Sequence, residues 1–306
     1  MVDKPFSVSI NPSYFCNFRC DFCYLTPEQL GDQKRIDPKK LDTLLSNIPK
    51  IDHVDLYGGE IGALKKEYYK EIKSVIRKHY NDYININTNF SMLDERFFED
   101  DVTLSVSYDF SAREKADLVY QNMLMSPKPI SVLVLASKEV LNLDVDSMIK
   151  QLNMCKSVIS VEIKPYSTNQ ANKHPVTHKD FENFVMKWIE SPVKKRFEFQ
   201  NLNRIKRSVT KEYNAFSDDH IYITPNGKYA VLEFDKFDNE YFLEFTNYSV
   251  FEHWAWTEKR TLSTICNNCH WVGHCLTEHY RQVKDLKNSC NGYINLLARY
   301  KDDYIY

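Results

Sequence analysis

The chain opens on Phe6-Ser7-Val8-Ser9-Ile10, where every second residue is apolar, the period of a half-buried strand. Strand-like and helix-like patterns then take turns. Pro38 to Leu45 places Leu41, Leu44 and Leu45 on one side, with Pro38 suited to a first helical turn. Val54-Asp55-Leu56-Tyr57 predicts a short strand stopped by Gly58-Gly59, and Lys65 to Tyr80 a charged amphipathic helix. Tyr83 to Asn87 predicts a third strand, Leu93 to Glu99 a short helix, and Val102 to Tyr108 a fourth strand. Arg113 to Met125 reads as helix, Ile130 to Leu135 as an apolar strand, and Val145 to Met154 as helix. Val158 to Ile163 is a sixth strand ahead of Pro165, and Phe181 to Ile189 a last helix.

Six strand-then-helix units in regular alternation predict an α/β protein with a parallel sheet and helical crossovers. They are too few for an eightfold barrel, so an open, partial (β/α)6 barrel over residues 1–192 is expected. In such sheets ligands lie at the carboxyl ends of the strands. After Pro192 the texture changes, and residues 193–306 are expected to form a small α+β extension. It starts with a basic run from Lys194 to Lys211. A hairpin follows, Ile221 to Thr224 and Tyr229 to Leu232 around Pro225-Asn226-Gly227.

Charge narrows the function classes. The formal net charge of −2 gives no general attraction to nucleic acid or to an anionic membrane, and the basic run after Pro192 reads as a solvated helix or linker. No apolar run is long enough to span a bilayer, and Met1-Val2-Asp3-Lys4-Pro5 lacks the apolar core of a signal peptide, so a cytoplasmic address is expected.

The eight cysteines carry the chemistry. Cys16, Cys20 and Cys23 sit just after the first strand. Cys266, Cys269, Cys275 and Cys290 lie near the other end, and Cys155 stands alone, read as a small buried hydrophobe. In a chain of this kind such clusters ligate metal or iron–sulfur more often than they form disulfides. Three thiolates on one loop can hold three irons of a cubane and leave the fourth open, whereas structural zinc wants four ligands. A three-cysteine metal loop of another kind is the competing reading.

The C-x3-C-x2-C spacing after strand one resembles the signature of the radical SAM superfamily. That resemblance implies a [4Fe–4S] cluster on Cys16, Cys20 and Cys23 whose open iron is chelated by S-adenosylmethionine (SAM), and a 5′-deoxyadenosyl radical released on reduction. It implies that Phe22 lies beside the adenine. It also implies that Gly58-Gly59-Glu60, matching the family's GGE motif, binds the SAM amino group. The glycines would let the backbone come close to the ligand. Weaker correspondences place Thr88 and Asn89, followed by Phe90 where relatives often have Gly, and Ser105, Ser107 and Asp109 near SAM. Asp109, Lys164 and Tyr166 are the candidates for catalytic groups.

The second cluster resembles the SPASM/twitch extensions that follow many radical SAM barrels. Four thiolates can fully ligate a [4Fe–4S] cluster or tetrahedral zinc. The full SPASM pattern serves two auxiliary clusters. Here His279 stands at one of its cysteine positions, Leu232 at another, and no cysteine falls between residues 156 and 265. The resemblance therefore implies one auxiliary [4Fe–4S] cluster, on Cys266, Cys269, Cys275 and Cys290, in preference to zinc. Its simplest role is to accept an electron from a substrate radical.

The expected function is modification of a peptide or protein substrate, as in ribosomal peptide maturases. The alternative is a small-molecule oxidase or rearrangement enzyme acting on a sugar or cofactor precursor. An iron–sulfur electron carrier or regulator is a third class, opposed by the SAM motifs. A reductant such as flavodoxin or ferredoxin is an expected partner. Strand one begins so early that no peptide-binding module is expected in front of it, which points to a separate recognition protein.

Overall fold

The computed structural model describes residues 5–166, 176–212, 220–232, 242–258, 268–276 and 292–305. In chain order the strands are β1 (Phe6–Ile10), β2 (Ile51–Leu56), β3 (Ile84–Thr88), β4 (Val102–Ser107), β5 (Ile130–Leu135), β6 (Val158–Lys164), β7 (Glu198–Phe199), β8 (His220–Ile223), β9 (Tyr229–Leu232) and β10 (Phe242–Phe245). The helices are α1 (Pro27–Gly31), α2 (Pro38–Ser46), α3 (Lys66–Arg77), α4 (Ala116–Met125), α5 (Lys138–Leu141), α6 (Val145–Met154), α7 (His178–Glu190), α8 (Gln200–Val209), α9 (Tyr248–Glu258) and α10 (Ile294–Tyr304).

The described strands share one sheet, in the order β10-β9-β8-β1-β2-β3-β4-β5-β6-β7. From β8 to β7 every neighbouring pair is parallel, while β9 and β10 run antiparallel at one edge. The parallel sheet agrees with the alternating pattern. It is wider than six strands, because β7 joins β6 and β8 joins β1. Both lie beyond residue 192, so the expected hairpin, which is present as β8 and β9, continues this sheet.

The core follows from the strand period. Val8 and Ile10, Val54 and Leu56, Ile84 and Ile86, Val106, and Ile130, Val132 and Val134 are all wholly buried. Helix stripes such as Leu41, Leu44 and Leu45 on α2, and Tyr69, Ile72 and Ile76 on α3, add to the same core. Ile221 and Ile223 of β8 extend the row beside Val8 and Ile10. Gly227, at φ 71°, lets the hairpin turn close against the Lys40 side chain, and Tyr229 Oη donates to Leu44 O at 2.7 Å. No helix among the described residues is long and apolar enough to cross a membrane.

Candidate functional site

Four adjacent parallel strands end at one edge of the sheet, and the sequence-predicted site residues follow them. The loop after β1 carries Cys16, Cys20, Phe22 and Cys23. The turn after β2 carries Gly58, Gly59 and Glu60, that after β3 carries Asn89, and that after β4 carries Asp109.

The two glycines bring the chain close to the cysteine loop itself. A Cβ on Gly59 would lie 2.2 Å from Phe15 O and 2.3 Å from Tyr14 O. A Cβ on Gly58, whose φ is 138°, would lie 2.8 Å from Ser13 O. Gly59 N donates to Ser13 O at 3.1 Å and Glu60 N to Phe15 O at 2.9 Å. The sequence reading had these glycines approach a ligand; the partner they approach here is the backbone that leads into Cys16.

Glu60 is 1% exposed. Its Oε1 accepts from Gly62 N and Thr88 Oγ1, both at 2.8 Å, and its Oε2 accepts from Asn89 N at 2.7 Å. The carboxylate therefore ties the end of β2 to the end of β3. Burial pushes its pKa up, against the pull of those three donors. Asn89 carries the link onward: its Nδ2 donates to Asn17 Oδ1 at 2.9 Å and approaches Cys16 Sγ at 3.7 Å. Phe90 sits at φ 53°, in the left-handed region that glycine enters most easily.

Arg96 braces the same turn from outside. Its guanidinium grips Asp94 through Nε (2.6 Å) and Nη2 (2.8 Å), and donates to Leu64 O and Gly62 O. The Arg96 hydrogen bonds hold the Asp94 carboxyl below its ordinary value. A depressed folded pKa adds stability that is complete above the unfolded value, about 3.9, and is lost as pH falls through the folded one. Asp94→Asn is therefore expected to unfold at lower urea than wild type at pH 7, with the gap closing toward pH 2–3. A gap that stays constant across that range would show that the ionised pair contributes nothing.

Neighbouring cysteines raise the pKa of Cys16 and Cys23, but burial is the larger cause. It pushes Cys16 to about 11 and Cys23 to about 12, and raises Cys20. Their sulfurs meet donors: Phe18 N at 3.4 Å and Asn89 Nδ2 at 3.7 Å from Cys16 Sγ, and Arg113 Nη1 at 4.0 Å from Cys20 Sγ. Among the described residues no three His, Cys, Asp or Glu side chains are already gathered as a metal site. The donor set nonetheless fits a thiolate-ligated cluster: three sulfurs on one loop, with N–H groups directed at two of them.

Asp109 is 1% exposed. Its Oδ2 accepts from Arg113 Nε at 2.9 Å and its Oδ1 from Leu135 N at 2.6 Å. Lys164 ends β6 and pairs with Glu162 at 3.0 Å; Arg204 meets the same carboxylate at 2.8 Å. Tyr166 follows β6 and Ser107 ends β4, both partly exposed. Cys155 is buried, as expected of a small hydrophobe. Arg113 and Asn17 were missed by sequence reasoning. For Arg113 the only signal was an acid four residues before it.

In the C-terminal cluster, Cys269 and Cys275 flank a tight turn around the buried Trp271, and Trp271 N approaches Cys269 Sγ at 3.4 Å. Leu276 N donates to Gly292 O at 3.1 Å, which ties this turn to the start of α10. Cys266, His279 and Cys290 lie outside the described residues.

No protein-family model matches the chain, and no curated protein matches it in sequence. Solved structures do match it in fold. One is anSMEcpe with AdoMet bound, at TM-score 0.67 and 14% identity, covering 97% of this chain and 96% of that one. Another is Streptococcus suis SuiB bound to S-adenosylmethionine, at TM-score 0.64 and 14% identity, covering 89% of this chain and 72% of that one. SuiB bound to its precursor peptide SuiA matches at TM-score 0.62 and 14% identity, over 89% of this chain and 71% of that one. This chain therefore shares the fold of anSMEcpe and SuiB.

Proposed function

We propose that the chain is a radical SAM enzyme that modifies a peptide or protein. The reading rests on one observation. Three cysteines sit on the loop after β1, and that loop is held by Gly59 and Glu60 of the next strand end and faced by N–H donors. A [4Fe–4S] cluster there would supply the electron that cleaves SAM to a 5′-deoxyadenosyl radical, which abstracts a substrate hydrogen atom.

The chain's own residues prepare that site. Gly58 and Gly59 allow the loop to lie against the end of β2, and Glu60 and Asn89 fix its rim. A carboxylate has about four acceptor positions. Among the described residues three are used on Glu60, Oε2 accepting from Asn89 N, which leaves one for the methionyl ammonium of SAM. Phe22 offers an apolar face beside the last thiol for the adenine, and Ser107 lines the neighbouring strand end. We place these strands in a partial barrel open toward a peptide, because the similar folds of anSMEcpe and SuiB have been solved with peptides bound. A small-molecule substrate is the second reading, and a one-electron protein reductant such as flavodoxin or ferredoxin the expected partner.

The four C-terminal cysteines would hold one auxiliary [4Fe–4S] cluster, which accepts an electron from the substrate radical. Cys269 and Cys275 are brought onto one tight turn in support of this. Anaerobic reconstitution followed by iron and zinc counting tests both clusters. About eight irons per chain fits two cubanes. About four irons with one zinc would make the C-terminal cluster a structural knuckle. No iron retained by Cys16, Cys20 and Cys23 would overturn the whole reading.

A further inference from the structure

Arg113 and Asp109 form a buried ion pair whose geometry points at the cysteine loop. Their side chains are 9% and 1% exposed. Asp109 is itself pinned, because Oδ1 accepts from Leu135 N at the end of β5. Oδ2 takes both Nε and Nη2 from one edge of the guanidinium. That grip leaves Nη1 on the other side, 4.0 Å from Cys20 Sγ. The guanidinium carbon stands 5.5 Å from the centre of the Phe22 ring. The cation is thus fixed between a carboxylate, an aromatic face and a sulfur. Only a planar, forked donor can meet all three at once, and lysine has no such fork.

A buried ion pair is weak evidence for stability, since apolar residues of similar volume often serve as well. The direction of this pair suggests another role: its positive end lies nearest the sulfur and its negative end is turned toward β5. We propose that Arg113 is a positioning residue that raises the reduction potential of the cluster held by Cys16, Cys20 and Cys23. The inference rests on the iron–sulfur reading above. Reduction adds one electron, taken from a low-potential one-electron donor, to a site already rich in thiolate charge. A fixed cation beside one thiolate, and a donor directed at its sulfur, favour the more negative state. Removing the cation makes the cluster harder to reduce.

The test is an anaerobic redox titration of the reconstituted full chain, read by the electron paramagnetic resonance of the reduced cluster. The signal followed is the one that changes when SAM is added, which separates it from any auxiliary cluster. Wild type, Arg113→Lys, Arg113→Met and the double variant Asp109→Asn/Arg113→Met are compared. The double variant leaves no buried charge unpaired, so it keeps the fold if Arg113→Met alone does not. In both methionine variants the ratio of reduced to oxidised cluster at a fixed potential is expected to fall at least tenfold, equal to 59 mV for one electron. Arg113→Lys, which keeps the charge, is expected to fall by less. Midpoints equal to wild type in both methionine variants would overturn the inference, whatever happens to SAM affinity. A wild-type chain with no reducible cluster would overturn the parent reading along with it, and is recognised before any variant is made.

Discussion

Glu60→Ala is expected to destabilise the protein by about 3 kcal/mol or more. The substitution leaves Gly62 N, Asn89 N and Thr88 Oγ1 buried without their acceptor. Each such orphan costs roughly 1–3 kcal/mol, and the total stability of a domain is only about 5–15 kcal/mol. Glu60→Gln keeps one carbonyl oxygen but turns an amide toward a donor, and an intermediate loss is expected. Urea unfolding monitored by circular dichroism gives both numbers. Amide exchange adds a local signature, because Gly62 and Asn89 should lose protection before the core of β2 and β3 does. A Glu60→Ala protein within about 1 kcal/mol of wild type would show that the carboxylate is not what ties the two strand ends together.

The same residue shows how far the sequence could be read. The position of Cys16, Cys20 and Cys23 on the loop after β1, and of Gly58-Gly59-Glu60 on the turn after β2, was legible because each lies in a short stretch beside a strand end. The partners of Glu60 were not, since Thr88 and Asn89 come from another strand and only the fold brings them near. Arg113 read as the start of a helix. It instead precedes α4 in a turn, with Phe110 at φ 52° and Lys115 at φ 53° shaping the backbone on either side. The six inner strands were legible from alternation, which is a local property. That β8 would lie parallel to β1 was not, because register and neighbour choice depend on contacts distant in sequence. The elements β10, α9 and α10 were missed as well. In α10 the buried Leu296, Leu297 and Tyr300 do follow a helical period, but charged residues crowd around them.

The second large effect concerns the cysteines. Replacing Cys16, Cys20 and Cys23 together by alanine should remove the SAM-cleaving cluster and lower 5′-deoxyadenosine formation to background. The fold should persist, because these side chains lie on a loop held by backbone hydrogen bonds from Gly59 and Glu60 rather than in the strand core. The thiols of the apo protein are protonated at neutral pH, since burial lifts Cys16 to about 11 and Cys23 to about 12. Cluster loading therefore releases protons and should be favoured by raising the pH of reconstitution. Loading that improves as pH falls would contradict this.

The most direct measurement is SAM cleavage itself. The reconstituted chain is incubated anaerobically with dithionite and SAM, and 5′-deoxyadenosine is quantified by chromatography for wild type and for the triple alanine variant. The structure predicts product from wild type and none from the variant. An iron-loaded wild type that yields no 5′-deoxyadenosine, or a triple variant that yields as much as wild type, would contradict the assignment of this loop as the radical-generating site.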